Sequence, residues 1–167
     1  IKDCTQNANL GTRQAGYKYI GGIAGVNAGT IQTSAPNNVT ISGDQYVGGV
    51  VGLNAQNGTI QGITDCIVTV QGSEAVGGVA GANQGTVQSS TLQNVTVAAS
   101  GSNAGGAVGQ NSVDAIVQSV TVQGGSVQGN EAAGGLAGEN LGSVQDCTTE
   151  DALTVRADQN AGAAVGS

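Results

Sequence analysis

A short block built on a glycine doublet recurs along the chain at nearly constant spacing. It reads Ile20-Gly21-Gly22-Ile23-Ala24-Gly25, then Val47-Gly48-Gly49-Val50-Val51-Gly52, then Val76-Gly77-Gly78-Val79-Ala80-Gly81. Ala104-Gly105-Gly106-Ala107-Val108-Gly109 and Ala133-Gly134-Gly135-Leu136-Ala137-Gly138 continue the series, followed by a degenerate Ala161-Gly162-Ala163-Ala164-Val165-Gly166. The first glycines are separated by 27, 29, 28, 29 and 28 residues. A fixed period of roughly 20 to 50 residues marks a solenoid, a propeller or an array.

Other columns keep the same period. A Gly-x-Asn step places Asn27, Asn54, Asn83, Asn111 and Asn140 after each doublet. Then comes a β-type stretch: Thr30-Ile31-Gln32, Thr59-Ile60-Gln61, Thr86-Val87-Gln88, Ile116-Val117-Gln118 and Ser143-Val144-Gln145. A further stretch reads Val39-Thr40-Ile41, Val68-Thr69-Val70, Val95-Thr96-Val97, Gly125-Ser126-Val127 and Leu153-Thr154-Val155. Each unit thus holds three β-prone segments divided by Gly, Ser, Asn or Asp. No window keeps a 3.6-residue apolar period, which argues against helix.

Segments this short bury no core alone. Stacked turns solve the problem, because each strand then pairs with its own copy about 4.8 Å away. The expected fold is an all-β, right-handed parallel β-solenoid (β-helix), three-sided, with one turn per repeat of about 28 residues; the hand follows from the crossover rule for parallel strands. Phe and Trp, too bulky for a tightly wound interior, are both absent. In Val-Thr-Val, strand alternation puts Val inside and Thr outside. The doublets serve either positive φ or close backbone approach at a corner.

The expected organisation is a single repeat domain spanning 1–167. Residues 1–18 form a partial repeat or leading loop. Repeats follow at 19–45, 46–74, 75–102, 103–131 and 132–160, and 161–167 is a truncated copy. Ile1-Lys2-Asp3-Cys4-Thr5 parallels Val144-Gln145-Asp146-Cys147-Thr148. The chain is therefore expected to start inside a repeat and to be a fragment of a larger protein.

Composition narrows the chemistry. No His is present, so His-activated nucleophiles and imidazole metal ligands are excluded. Four Lys and Arg against eleven Asp and Glu give a net charge of −7, unsuited to nucleic acid. No stretch approaches the roughly 20 apolar residues of a membrane helix, so membrane insertion is not expected. Three cysteines, Cys4, Cys66 and Cys147, are read as small buried hydrophobes. Cys4 and Cys147 share a column about 24 Å apart at about 4.8 Å per turn, beyond disulfide reach. Asp44, Glu74, Glu131 and Asp158 gather near one corner, a weak Ca²⁺ candidate whose copies drift by one column.

Two polar columns stand out. Stacked amides of Asn27, Asn54, Asn83, Asn111 and Asn140 are expected to form a structural ladder. Gln32, Gln61, Gln88, Gln118 and Gln145 make an outward column. With Tyr19 and Tyr46, which share a column in adjacent turns, they are the candidate surface contacts. No catalytic, cofactor or metal residue is assigned.

The stretch Val47-Gly48-Gly49-Val50-Val51-Gly52-Leu53-Asn54, followed by Gly58-Thr59-Ile60, resembles the GLUG motif. That motif occurs in bacterial surface and secreted proteins, including adhesin-like, filamentous-haemagglutinin-like and IgA-peptidase precursor proteins. The resemblance covers 19–167 and is best in the repeats starting at Tyr19, Tyr46 and Ala75. The fourth copy departs at Ser112-Val113-Asp114-Ala115, and the sixth replaces the second glycine with Ala163. The resemblance implies a non-catalytic structural or adhesive module, a stiff spacer or contact surface, secreted or on a bacterial cell surface. Its implied partner is a host-cell or matrix receptor, protein or glycan; the module is a monomer without a cofactor. The alternatives are an accessory region of a secreted IgA-peptidase-like protease or polysaccharide-active enzyme, and a Ca-dependent or small-ligand module.

Overall fold

The computed structural model describes residues 1–11, 16–150 and 152–167. The described chain is all β, without helix, and its parallel sheets stack as a β-solenoid of about five turns. One turn shows the plan. Strand Glu74–Gly77 leads through the doublet into Ala80–Asn83, and Thr86–Ala99 completes the circuit. Each interior strand pairs in parallel with its copies one repeat before and after. Val76 thus lies between Val47 and Ala104, Asn83 between Asn54 and Asn111, and Val87 between Ile60 and Val117. The ladders make an 11-stranded, a 6-stranded and a 5-stranded sheet.

The turn has more straight stretches than the sequence pattern shows. Thr86–Ala99 is bent at Ser89 (φ 50°) and Asn94 (φ 49°), which divide it into 86–88, 90–93 and 95–99. Left-handed residues recur in one column, at Asp3, Thr33, Gly62, Ser89, Ser119 and Asp146, each just after the position that holds the Gln column. A single residue in this region turns the strand direction without breaking the ladder on either side. The 90–93 stretch is absent from the sequence-derived pattern because its copies, such as Ile63-Thr64-Asp65-Cys66 and Val120-Thr121-Val122-Gln123, share few identities.

The core is a stack of identical small columns. Ile31, Ile60, Val87 and Val117 are fully buried in one; Ile41, Val70, Val97 and Val127 fill another. The Thr between paired valines faces out, as strand alternation requires: Val68 and Val70 are buried while Thr69 is half-exposed. The columns lose cover at the ends, where Leu153 and Val155 are half-buried.

The doublets resolve into close approach. None of their glycines has positive φ. A Cβ on Gly48 would collide with the Val51 carbonyl of its own turn, one on Gly49 with the Gly78 carbonyl of the next turn, and one on Gly52 with the Tyr19 backbone of the preceding turn. The doublet corner therefore brings strands into backbone-to-backbone contact in three directions, leaving no room for side chains.

Candidate functional site

The asparagine column forms a continuous hydrogen-bonded ladder. Asn27 Nδ2 donates to Asn54 Oδ1 at 2.9 Å, Asn54 to Asn83 at 2.8 Å, Asn83 to Asn111 at 2.9 Å and Asn111 to Asn140 at 2.8 Å. Each of the first four amides also donates to a carbonyl of its own turn and to one of the next turn. For Asn83 these are Gly85 O and Ile116 O, both at 3.2 Å. The surrounding carbonyls fix the orientation, since only the NH₂ group can face them. Asn54, Asn83 and Asn111 are fully buried. Their amides are spent on the chain itself, which is how a polar group is kept inside without loss of stability.

The glutamine column lies on the outer side of the largest sheet. Gln32, Gln61, Gln88, Gln118 and Gln145 are in exact parallel register, and Gln88 Nε2 donates to Gln61 Oε1 at 2.9 Å. Gln145 turns instead to Ser143 Oγ at 2.8 Å. Beside them run the half-exposed Thr59 and Thr86, then Thr69 and Thr96 in the last stretch of the turn. The result is a set of largely uncharged columns of hydroxyls and amides repeating every turn, those of Thr86 and Gln88 before the bend at Ser89 and that of Thr96 after the bend at Asn94. Tyr19 and Tyr46 stack on each other, with ring centroids 5.3 Å apart and planes inclined by 20°. Both have positive φ (59° and 53°), and Ala75 continues their column at 44°.

The acidic corner does not converge. Glu74 is in register with Gln45, so Asp44 falls one position away, and Asp158 N donates to Asn130 O. No group of three or more Cys, Asp or Glu able to hold a metal ion occurs among the described residues. Asp44 instead serves the fold: the Gly16 N–H donates to its Oδ2 at 2.8 Å, and this bond, with one from Ser73, holds the carboxyl below its ordinary value. That contribution is present above the ordinary carboxylate range and fades as pH falls through the lowered value.

The cysteines behave less uniformly than the sequence suggests. Only Cys66 is buried; Cys147 is half-buried and Cys4 is exposed. Cys4 sits in the first, half-complete turn, with no turn on its outer side. Cys147 occupies a corner column shared, as the sequence indicates, with Cys4; that Ser34 and Ser90 belong to it is not apparent from the sequence. Its Sγ accepts from Val120 N at 3.4 Å and donates to Gln145 O at 3.0 Å. Ser34 and Ser90 make the same pair of bonds: Ser34 Oγ accepts from Cys4 N and donates to Gln32 O, and Ser90 Oγ accepts from Ile63 N and donates to Gln88 O. The signal is legible in retrospect as a Ser or Cys two residues after the column glutamine. Burial pushes the Cys66 thiol up to about 12 and also raises Cys147. Titration of the folded chain with an aromatic disulfide reagent at neutral pH is expected to modify Cys4 first, Cys147 more slowly and Cys66 only after denaturation. Rapid modification of Cys66 in the folded chain would contradict the packing described.

The ladder and the outward array are thus the two features this fold builds repeatedly, one inside and one facing solvent. No family model, curated protein or solved structure matches the chain.

Proposed function

We propose that the chain is a non-catalytic structural repeat module, a stiff spacer that carries a contact surface. The observation behind this reading is the uninterrupted coupling of turns, by parallel backbone ladders on every side and by the buried Asn column within. Such a body resists bending, because bending would break several ladders at once. Its outer face offers regularly spaced neutral donors and acceptors, suited to a polyhydroxylated or amide-rich partner. The resemblance of 47–60 to GLUG repeats adds the setting, a bacterial surface or secreted protein that meets a host-cell or matrix receptor.

The test is binding of the purified chain to immobilised extracellular-matrix proteins and a glycan array. A triple variant, Gln61→Lys, Gln88→Lys and Gln118→Lys, alters only outward positions. The expected result is binding to at least one surface by the parent and a loss of at least about tenfold in the variant, equivalent to about 1.4 kcal/mol, with an unchanged melting temperature. Equal binding by both proteins, or none by either, overturns the contact-surface reading. Turnover of a glycan or peptide by the purified chain overturns the non-catalytic one.

A further inference from the structure

Two of the corner loops that follow the Asn ladder are longer than the rest. The links from Asn27 to Thr30, Asn83 to Thr86 and Asn140 to Ser143 are short; those from Asn54 to Thr59 and Asn111 to Ile116 are each two residues longer. The long pair close as matching β-turns. Gly58 N donates to Ala55 O at 2.7 Å, and Ala115 N donates to Ser112 O at 3.1 Å. Both loops keep the register of the solenoid, since Ala55 N donates to Asn27 O and Ser112 N to Asn83 O. The extra residues, Gln56-Asn57 and Val113-Asp114, therefore stand out from the corner, and all four are exposed.

Between the two loops lies the short corner Gln84-Gly85. Gly85 is seated so tightly that a Cβ there would collide with Gly58 O and Ala55 O. The loop tips are two strand spacings apart, about 9.6 Å along the axis. The outcome is a recess of about 470 Å³, with Gln56 on one side, Gln84 at the base, Ser112, Val113 and Asp114 on the other side and Leu141 beyond them. The repeats that shape it, 46–74, 75–102 and 103–131, each have a neighbouring repeat on both sides, so the recess belongs to the body of the solenoid.

The lining selects the ligand. Backbone groups at the base are already used: Gly85 O accepts from Ile116 N and Asn83 Nδ2, Gly85 N donates to Asn83 Oδ1, and Thr86 N donates to Gly58 O. An added peptide strand would find no partner there, so recognition falls to side chains. Val113, 65 % exposed, offers an aliphatic surface. Gln56, Gln84 and Ser112 offer neutral donors and acceptors around it. Asp114 is the sole charged group of the lining, in a chain of net charge −7, and repels anions. A neutral ring bearing both a methyl group and a polar rim matches this set. An acetamido sugar has that form: its methyl covers Val113, and its amide and hydroxyls meet the Gln, Ser and Asp side chains. We propose that this recess binds one residue of a neutral N-acetylhexosamine glycan. The inference rests on the contact-surface reading and localises its sugar-facing part at a corner outside the Gln column.

The test is titration of the ¹⁵N-labelled chain, followed by amide chemical shifts, with the β-1,4-linked trimer of N-acetylglucosamine. The glucose trimer of the same linkage and the cationic, de-N-acetylated trimer are the comparison ligands. Saturable shifts are expected at Gln84, Ser112, Val113 and Asp114. The glucose trimer is expected to bind at least about tenfold more weakly, as loss of a methyl-bearing group from an apolar contact requires. Val113→Gln installs the residue that Gln56 supplies at the matching place, and Gln84→Ala the one that Ala55 supplies. The first is expected to weaken binding at least about tenfold and the second about threefold, with unchanged melting temperatures. The variant with lysine at 61, 88 and 118 is expected to keep the sugar.

Equal affinity for the acetylated and glucose trimers, stronger binding of the cationic trimer, or undiminished binding by Val113→Gln would each overturn the proposal. So would loss of the sugar in the lysine variant alone. A parent that binds a matrix protein or another glycan, but not the acetylated trimer, overturns this inference and leaves the contact-surface reading standing. A parent that binds none of them overturns both.

Discussion

Replacing Asn83 by aspartate is expected to destabilise the chain by about 3–5 kcal/mol at neutral pH, the usual cost of an uncompensated buried charge. One carboxylate oxygen would keep the role of Asn83 Oδ1, accepting from Asn54 Nδ2 at 2.8 Å and from Gly85 N at 3.3 Å. The other would stand where Nδ2 now donates to Asn111 Oδ1, Gly85 O and Ile116 O, at 2.9–3.2 Å. An anion there faces three acceptors in a site without solvent. The folded state would favour the protonated acid, so the variant's carboxyl is raised relative to the unfolded chain. The sign follows from linkage: the penalty is small below about pH 3.9, where both states hold the proton, and grows as pH rises towards the raised folded value. Urea midpoints of Asn83→Asp and parent at pH below about 3.9 and near neutrality measure this directly. A loss equal at both pH values would mean that the column does not carry the donor pattern described.

The doublet glycines give the second large effect. Gly78→Ala would drive a Cβ into the Gly106 carbonyl, a backbone atom, and to 2.8 Å from Cγ1 of the fully buried Val95. The expected cost is about 3 kcal/mol, at the upper end of ordinary overpacking. In a chain of this size that lowers Tm by roughly 6–12 °C. Gly29→Ala is the matched control. Gly29 has nothing within 4 Å of an added Cβ and lacks positive φ, so its change is expected to stay within about 0.5 kcal/mol. Thermal melts of the two variants decide the matter; equal shifts would contradict a crowding role for the doublet.

Much of this architecture is readable from the spacing of the repeats. A period of 27–29 residues, β-type alternation in Val-Thr-Val and a fixed Gly-x-Asn step are enough to call for stacked parallel turns, with a ladder of Asn at a corner and Gln facing outward; that the Asn ladder is buried is shown only by the structure. The stretch around Ser90–Gln93 escapes because its identity lies in backbone geometry. A left-handed Ser89 and Asn94 bound it, and no single side chain marks such a bend when Thr, Asp, Ser and Gly all occupy the corner column. The role of the doublet was open in the sequence for a related reason: glycine serves positive φ and tight approach alike, and only the neighbouring carbonyls distinguish them. Cys4 and Cys147 escape the buried class because periodicity assigns a column but does not show that the terminal turns lack a neighbour on one side. The outward array was legible as residues, while its partner belongs to chemistry outside the chain.

Pairs of spin labels give the most direct test of in-register stacking. Labels introduced by thiol-independent chemistry at Gln32 and Gln118, and in a second sample at Gln32 and Gln145, probe the outward column three and four turns apart. Dipolar spectroscopy is expected to give narrow distributions centred near about 14 Å and about 19 Å, a difference of one turn at about 4.8 Å. Broad distributions, or separations that do not grow by one strand spacing per repeat, would contradict the solenoid.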